Sequence, residues 1–420
     1  MISLVLSVLW ISCLGSNAPV QSPPAVETFT LEQCIAAALE QNPLLQSSHQ
    51  LYQASLARIH QAKAFSQPRL DFDSDLQPRL FDFKGSDESY FGLSQSLDFP
   101  GKRSLKGRVA TQESLEIQAD TELLRLDITY QVKQAFYGLL LAQQILKYTE
   151  QDLELSRDYL QKAEIKNEAG DVAKVEVLRA RVETAKAENS VRAAVNEVRL
   201  GTARLNFLLA RKKYEPLDIS GEFPKDGPRL SLDELKQQAY SLRPEIRRLG
   251  FSLEKENLRK SLARMSYLPD LSLGLSRHRI SGVANTWDFI LSFPIPLFFW
   301  QPQKEEIAEA QANLEALRRE REHLINAVSL DVEEAYANAL MTRNQIELFE
   351  KEILAQAEEA YNMFLFSFQE GEIGGIELIE ARRTLIEARK SYADALHNFS
   401  VALAALEKSV GQKLEVESHD

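Results

Sequence analysis

The sequence is poor in the residues that announce chemistry most directly. Only two cysteines, Cys13 and Cys34, occur in 420 residues, which excludes a disulfide framework or a cysteine metal cluster. Glycine is scarce, at 17 residues, or about 4% against a usual ~7%. With ample charge, that scarcity opposes disorder and favours long regular elements. No basic excess exists: 49 Lys and Arg face 61 Asp and Glu, a net charge of −12, which argues against a nucleic-acid partner. The histidines (His49, His60, His278, His323, His397 and His419) lack metal-ligand spacing such as His-x₃-His. There is no phosphate-cradling glycine loop and no catalytic constellation, so an enzyme, a cofactor and a bound metal all lack support. Beyond the N-terminus no apolar run reaches the ~18 residues of a membrane-spanning helix. A polytopic helical membrane protein is thereby excluded, and a β-barrel is not.

What is present begins with Ile2 to Leu14, a nearly unbroken apolar stretch too short to span a bilayer. It predicts a signal peptide over residues 1–18, with small residues near Ser16 to Ala18 for cleavage. Cys13 loosely resembles a lipoprotein cleavage site. Two readings stand: Cys13 is lipidated, or it belongs to a discarded leader. Cys34 is then without a partner and is expected to pack as a small apolar residue on a helix.

The remainder repeats itself at a spacing near 200 residues. Thr30-Leu31 with Asn42-Pro43 aligns with Ser231-Leu232 and Arg243-Pro244. Pro68 aligns with Pro269, Ala135-Phe136 with Ala335-Tyr336, and Gly170, Glu176 and Ala180 with Gly371, Glu377 and Ala381. The chain therefore divides into a first repeat over 19–211, a linker over 212–230, a second repeat over 231–411 and a tail over 412–420. Each repeat opens with a helix, Leu31 to Phe65 and Leu232 to Tyr267, N-capped by Thr30 or Ser231. Strands follow at 69–82 and 89–99, and at 270–280 and 286–297. A long helix then spans 102–167 or 303–369, and after a glycine turn a further helix spans 172–211 or 376–410. The 3-4 spacing of Ile128, Val132, Ala135, Leu139, Ala142 and Leu146, and of Leu378 through Leu406, is a coiled-coil seam. At 1.5 Å per residue, the long helices are rods of roughly 100 Å, too long for a compact domain. All strands then lie at one end and both glycine turns at the other.

The strands alternate with period 2. Leu70, Phe72 and Leu76 oppose Asp71, Asp73 and Asp75, and Phe91, Leu93, Leu97 and Phe99 oppose Gly92, Ser94, Ser96 and Asp98. Leu271, Leu273 and Leu275 oppose Ser272, Gly274, Ser276 and His278, and Trp287, Phe289, Leu291, Phe293, Ile295 and Leu297 oppose Asp288, Ser292, Pro294 and Pro296. Segments of about ten residues suit tilted outer-membrane strands. Four strands cannot close a barrel, and lipid does not tolerate an open sheet edge, so the chain is expected to oligomerise.

These residues together resemble the TolC-like outer-membrane factors, the exit ducts of tripartite efflux and type I secretion. The markers are the opening Thr-Leu-Glu-Gln-Cys-Ile-Ala-Ala-Ala-Leu-Glu-Gln-Asn-Pro, the Pro-x-Leu entries at Pro68 and Pro269, the paired hairpins, and Gly-x₅-acidic-x₃-Ala at Gly170 and Gly371. Leu97-Asp98-Phe99-Pro100-Gly101-Lys102-Arg103 and Phe293-Pro294-Ile295-Pro296-Leu297-Phe298 look like the branch serving heavy-metal resistance pumps.

The resemblance implies a mainly α fold with a small β part. Tandem-duplicated long helical hairpins would form an α-barrel, and four strands per chain would contribute to a trimeric 12-stranded transmembrane β-barrel. It implies a homotrimer in the Gram-negative outer membrane that reaches into the periplasm and exports small molecules or metal ions passively. Its partners would be a periplasmic adaptor (membrane fusion) protein, an inner-membrane efflux pump and outer-membrane lipid. Glu377 and Glu380 match the acidic ring of the family's constriction; the first repeat keeps Glu176 but has Arg179 at the second place. Adaptor docking is expected at the tips around Gly170, Asp171, Gly371 and Glu372. Asp71, Asp73, Asp75, Asp98 and Asp288 are expected to line the barrel lumen. An alternative of another class is an exported coiled-coil scaffold that conducts nothing. The cargo is not legible, because a passive duct carries no substrate pocket.

Overall fold

The computed structural model describes residues 28–75, 86–212, 215–227, 230–295 and 302–414. The expected leader over 1–18 with Cys13, the expected strand ends at 76–82 and 296–297, and the tail from 415 lie outside the described residues.

Each repeat starts with two helices rather than the single one expected: α1 (Leu31–Gln41) and α2 (Pro43–Lys63), then α5 (Leu232–Leu242) and α6 (Pro244–Met265). Proline causes both breaks. Pro43 and Pro244 lack an N–H and stand at the first helical position, where none is needed. Asn42 completes the first restart, its Oδ1 accepting from the Leu44 N–H at 2.9 Å. The expected N-caps are present. The Gln33 N–H donates to Thr30 Oγ1 at 3.4 Å, and Gln33 Oε1 accepts from the Thr30 N–H at 2.8 Å, a reciprocal capping box. Glu234 reaches back likewise to the Ser231 N–H at 2.8 Å.

The long helix of the first repeat, α3 (Lys102–Ala169), is continuous over 68 residues, roughly 100 Å at 1.5 Å per residue. Its counterpart is interrupted: α7 (Pro302–Leu348) passes through a π turn at Phe349–Ile353 into α8 (Leu354–Glu370). The return helices are α4 (Lys174–Leu208) and α9 (Gly375–Val410). Near the strands α3 packs on α2 and α6, and farther along on α4 and α9. The seam residues Ile128, Val132 and Leu139 are buried, as are Leu378, Leu385, Ala388, Ala395, Phe399 and Leu406. Small residues bring the rods close: a Cβ on Gly201 would stand 3.1 Å from Leu139 Cδ1. Cys34 is fully buried in this core and free, and burial pushes its thiol up to about 11.

The described part of the linker crosses the waist of the rods. A short parallel pair, β1 (Thr28–Phe29) with β4 (Asp218–Ile219), ties it to the chain start. Leu217 and Ile219 enter the core, and Phe223 stacks on Tyr137 at 6.0 Å. Lys225 Nζ donates to Glu350 Oε1 in the π turn at 2.8 Å, and Tyr392 Oη donates to the same oxygen at 2.6 Å.

At one end stands an antiparallel sheet in the order β2 (Arg69–Asp75), β3 (Glu88–Leu97), β5 (Leu271–Ile280), β6 (Thr286–Ser292). The two hairpins of the duplication thus join side by side, leaving β2 and β6 as edges. Asp270 fastens the sheet to α3: its Oδ1 accepts from the Phe99 N–H and from Lys102 Nζ, both at 2.8 Å.

Candidate functional site

The far end of the rods carries the two glycine reversals. Gly170 and Gly371 adopt φ of 85° and 80°, a region that disfavours side chains. Both turns close alike. The Asp171 N–H donates to Lys166 O and the Glu372 N–H to Ser367 O, each at 2.9 Å. Gly170, Asp171, Gly371 and Glu372 are all exposed, so the residues expected to meet a partner are accessible. The two tips lean on each other. Lys166 Nζ donates to Phe368 O at 3.1 Å, and the Tyr159 and Phe368 rings lie 5.5 Å apart. Tyr159 also presses on α9, since a Cβ on Gly375 would fall 1.8 Å from its hydroxyl. Burial, and next the Glu176 carboxylate beside it, push the Tyr159 phenol up to about 12.

Glu377 and Glu380 are exposed in the first turns of α9. They are not equivalent. Glu380 Oε1 is 2.9 Å from Arg383 Nη1, whereas Glu377 has no ion-pair partner among the described residues. Glu176 is partly buried and pairs with Arg179 at 2.9 Å. The acidic tip is therefore interleaved with guanidinium groups.

One of those groups escaped the sequence reading. Arg382 is buried on α9 and reaches across to the first repeat. Its Nη1 is 3.4 Å from Asp152 Oδ1 on α3, and its Nη2 is 3.7 Å from Glu183 Oε2 on α4. Lys186 and Arg383 also hold Glu183, at 2.7 and 3.5 Å. Burial works against the Glu183 charge, but Lys186, Arg383 and Arg382 outweigh it and hold the carboxyl below its usual range. The signal was available: Arg382 sits between Leu378 and Leu385 at 4-3 spacing, so a cation occupies the seam.

At the sheet end, the register places Asp71, Asp73 and Asp75 on one face with Tyr90, Ser276, His278 and Asp288. His278 Nε2 lies 2.7 Å from Glu88 Oε1, and its ring stacks on Tyr90 at 3.9 Å. Asp98 differs from the other four aspartates. It follows β3 and is held by Lys106 Nζ at 2.8 Å, at the strand–helix junction. The other face presents Leu70, Phe72, Phe91, Leu93, Leu275, Trp287, Phe289 and Leu291, all exposed, with Phe289 at 69% and Trp287 at 67%. Among the described residues no helix or strand packs over that apolar face. Among the described residues no helix is long and apolar enough to cross a membrane, and no group of three His, Cys, Asp or Glu side chains is placed to hold a metal ion.

Comparison with known proteins agrees with this geometry. The cobalt-zinc-cadmium resistance protein CzcC of Cupriavidus metallidurans is 24% identical over 406 residues, covering 94% of this chain and 93% of that protein. The solved structure of CusC, described as forming a transmembrane channel, superposes with a TM-score of 0.78 at 20% identity, over 91% of this chain and 92% of that one. The CmeC outer membrane channel of Campylobacter jejuni superposes with a TM-score of 0.75 at 16% identity, over 99% and 95%. The profile of the outer membrane efflux protein family matches residues 34–211 and 235–412, one stretch in each repeat. The chain belongs to the outer membrane efflux protein family.

Proposed function

We propose that three copies of this chain assemble into a duct through the outer membrane, the exit stage of a tripartite efflux system. The observation that carries this reading is the four-stranded sheet: two open edges, one exposed apolar face and one aspartate-bearing face, joined to rods of roughly 100 Å. Lipid tolerates neither an open edge nor a row of carboxylates. Closing β2 of one copy on β6 of the next satisfies the edges, turns the apolar face to lipid and encloses the aspartates. Three copies give twelve strands, and the helical hairpins extend the passage into the periplasm. A non-conducting scaffold has no use for such a face.

At the tip, three copies of Glu377 and Glu380 narrow the passage and favour cations. The Arg382 links between hairpins hold it closed. The exposed turns at Gly170 and Gly371 receive a periplasmic adaptor, and an inner-membrane pump supplies the cargo. The likeness to a cobalt-zinc-cadmium resistance protein favours divalent metal ions as that cargo. Membrane fractionation with mass measurement in mild detergent tests the assembly. A trimer in the outer membrane supports it; a monomer in the soluble periplasm contradicts it.

A further inference from the structure

The apolar sheet face is not apolar to its end. The register aligns side chains in rows across the four strands. Leu70, Leu93, Leu275 and Phe289 form one row, and Phe72, Phe91, Arg277 and Trp287 the next toward the hairpin ends. The row after that holds Ser74, Ser89 and Arg279. Two arginines thus continue the lipid-side face where it changes from aliphatic through aromatic to polar. Both are exposed, and neither has an ion-pair partner among the described residues. Arg277 lies between Phe91 and Trp287, while the acidic groups Glu88 and Asp288 belong to the opposite face.

This placement is specific. A charge facing lipid costs much at the bilayer midplane and little near its interface, where aromatic girdles stand. The hairpin ends are remote from the helices, so this interface is the outer one. Subunit closure does not cover the pair, because β5 is an inner strand and neighbours join through β2 and β6. Side chains two apart on one strand face are about 7 Å apart. Guanidinium groups at that separation suit phosphate, which they bind through paired hydrogen bonds.

We propose that Arg277 and Arg279 form a binding site for the phosphorylated headgroup of an outer-leaflet lipid. The site seats the barrel against the membrane at its outer rim. It rests on the outer-membrane reading above. Its occupant is a membrane lipid rather than free phosphate, because the aromatic rings flanking Arg277 and the row of Leu70, Leu93, Leu275 and Phe289 beneath it match the acyl chains of a lipid.

The test is native mass spectrometry of the detergent-purified trimer titrated with diphosphorylated lipid A, with single-channel recording on the same samples. Arg277→Gln with Arg279→Gln is expected to weaken retention about thirty-fold, and each single change about five-fold. Arg277→Lys with Arg279→Lys, which keeps the charge but loses the paired hydrogen bonds, is expected to bind more tightly than the double glutamine variant and less tightly than wild type. Dephosphorylated lipid A is expected to bind wild type and double variant alike, and excess inorganic phosphate to displace nothing. Equal retention of diphosphorylated lipid A by wild type and the double glutamine variant, both trimeric and conducting, would overturn this site and leave the duct standing. Displacement by inorganic phosphate would overturn the lipid assignment. A wild-type chain that neither trimerises nor conducts would overturn both.

Discussion

Arg382 on α9 stands 3.4 Å from the Asp152 carboxylate on α3, a pair 230 residues apart that joins the two halves of the duplication. Arg382 is 7% exposed, so its removal leaves Asp152 and Glu183 facing each other without their shared cation. Breaking a buried pair costs more than the pair itself contributes. Arg382→Ala is expected to lower stability by about 2–3 kcal/mol, less than a fully buried pair because both carboxylates keep some solvent. In a bilayer it is expected to lengthen open times. Denaturation and single-channel dwell times check the two effects separately. A variant with wild-type dwell times removes Arg382 from the gate.

Tyr159 and Gly375 give a packing prediction. Any side chain at Gly375 meets the Tyr159 hydroxyl, and overpacking costs about 1–3 kcal/mol. Gly375→Ala is expected to lower the melting temperature. Tyr159→Phe in the same chain is expected to recover part of the loss, because it removes the nearest atom. An unchanged melting temperature for Gly375→Ala contradicts the contact.

Glu183 sets the acid response of the tip. Its carboxyl is held below the ordinary value of 4.5, so the folded chain binds fewer protons there than the unfolded chain. Stability from this group is present above about that ordinary value and is lost as pH falls through the lower folded one. Thermal unfolding between neutral and acid pH is expected to show this loss, and Glu183→Gln to flatten that part of the profile. Parallel profiles for wild type and variant contradict it.

The proposed acidic ring makes a fourth prediction. Glu377→Gln is expected to lower cation selectivity more than Glu380→Gln, because Glu380 is already paired with Arg383. Reversal potentials in a salt gradient measure this. Selectivity unchanged in the double variant removes the ring.

Much of this architecture was legible because it is local or periodic. Thr30 and Gln33, three apart, announce their capping box, and Gly170 and Gly371 their reversals. The alternation around Asp71 and Phe72 separates the sheet faces. Pro43 and Pro244 mark the alignment of the two repeats, and each also carries the reason for ending one helix and starting another. The π turn at Phe349–Ile353 shows only in the buried apolar positions, which step by 7 from Val332 through Ala339 to Ile346 and then by 11 to Ala357. The pairs Arg382–Asp152 and Lys133–Glu407, separated by more than 200 residues, depend on which faces of two rods meet. No local spacing encodes that. Arg277 and Arg279 interrupt an apolar register, and the rows beside them became readable only once four strands were aligned.

The most direct measurement is single-channel recording of the purified wild-type assembly in a planar bilayer, on material whose mass has been determined. A duct of three chains gives discrete, cation-selective conductance steps from a trimer. A monodisperse trimer or monomer that yields no conductance steps contradicts it.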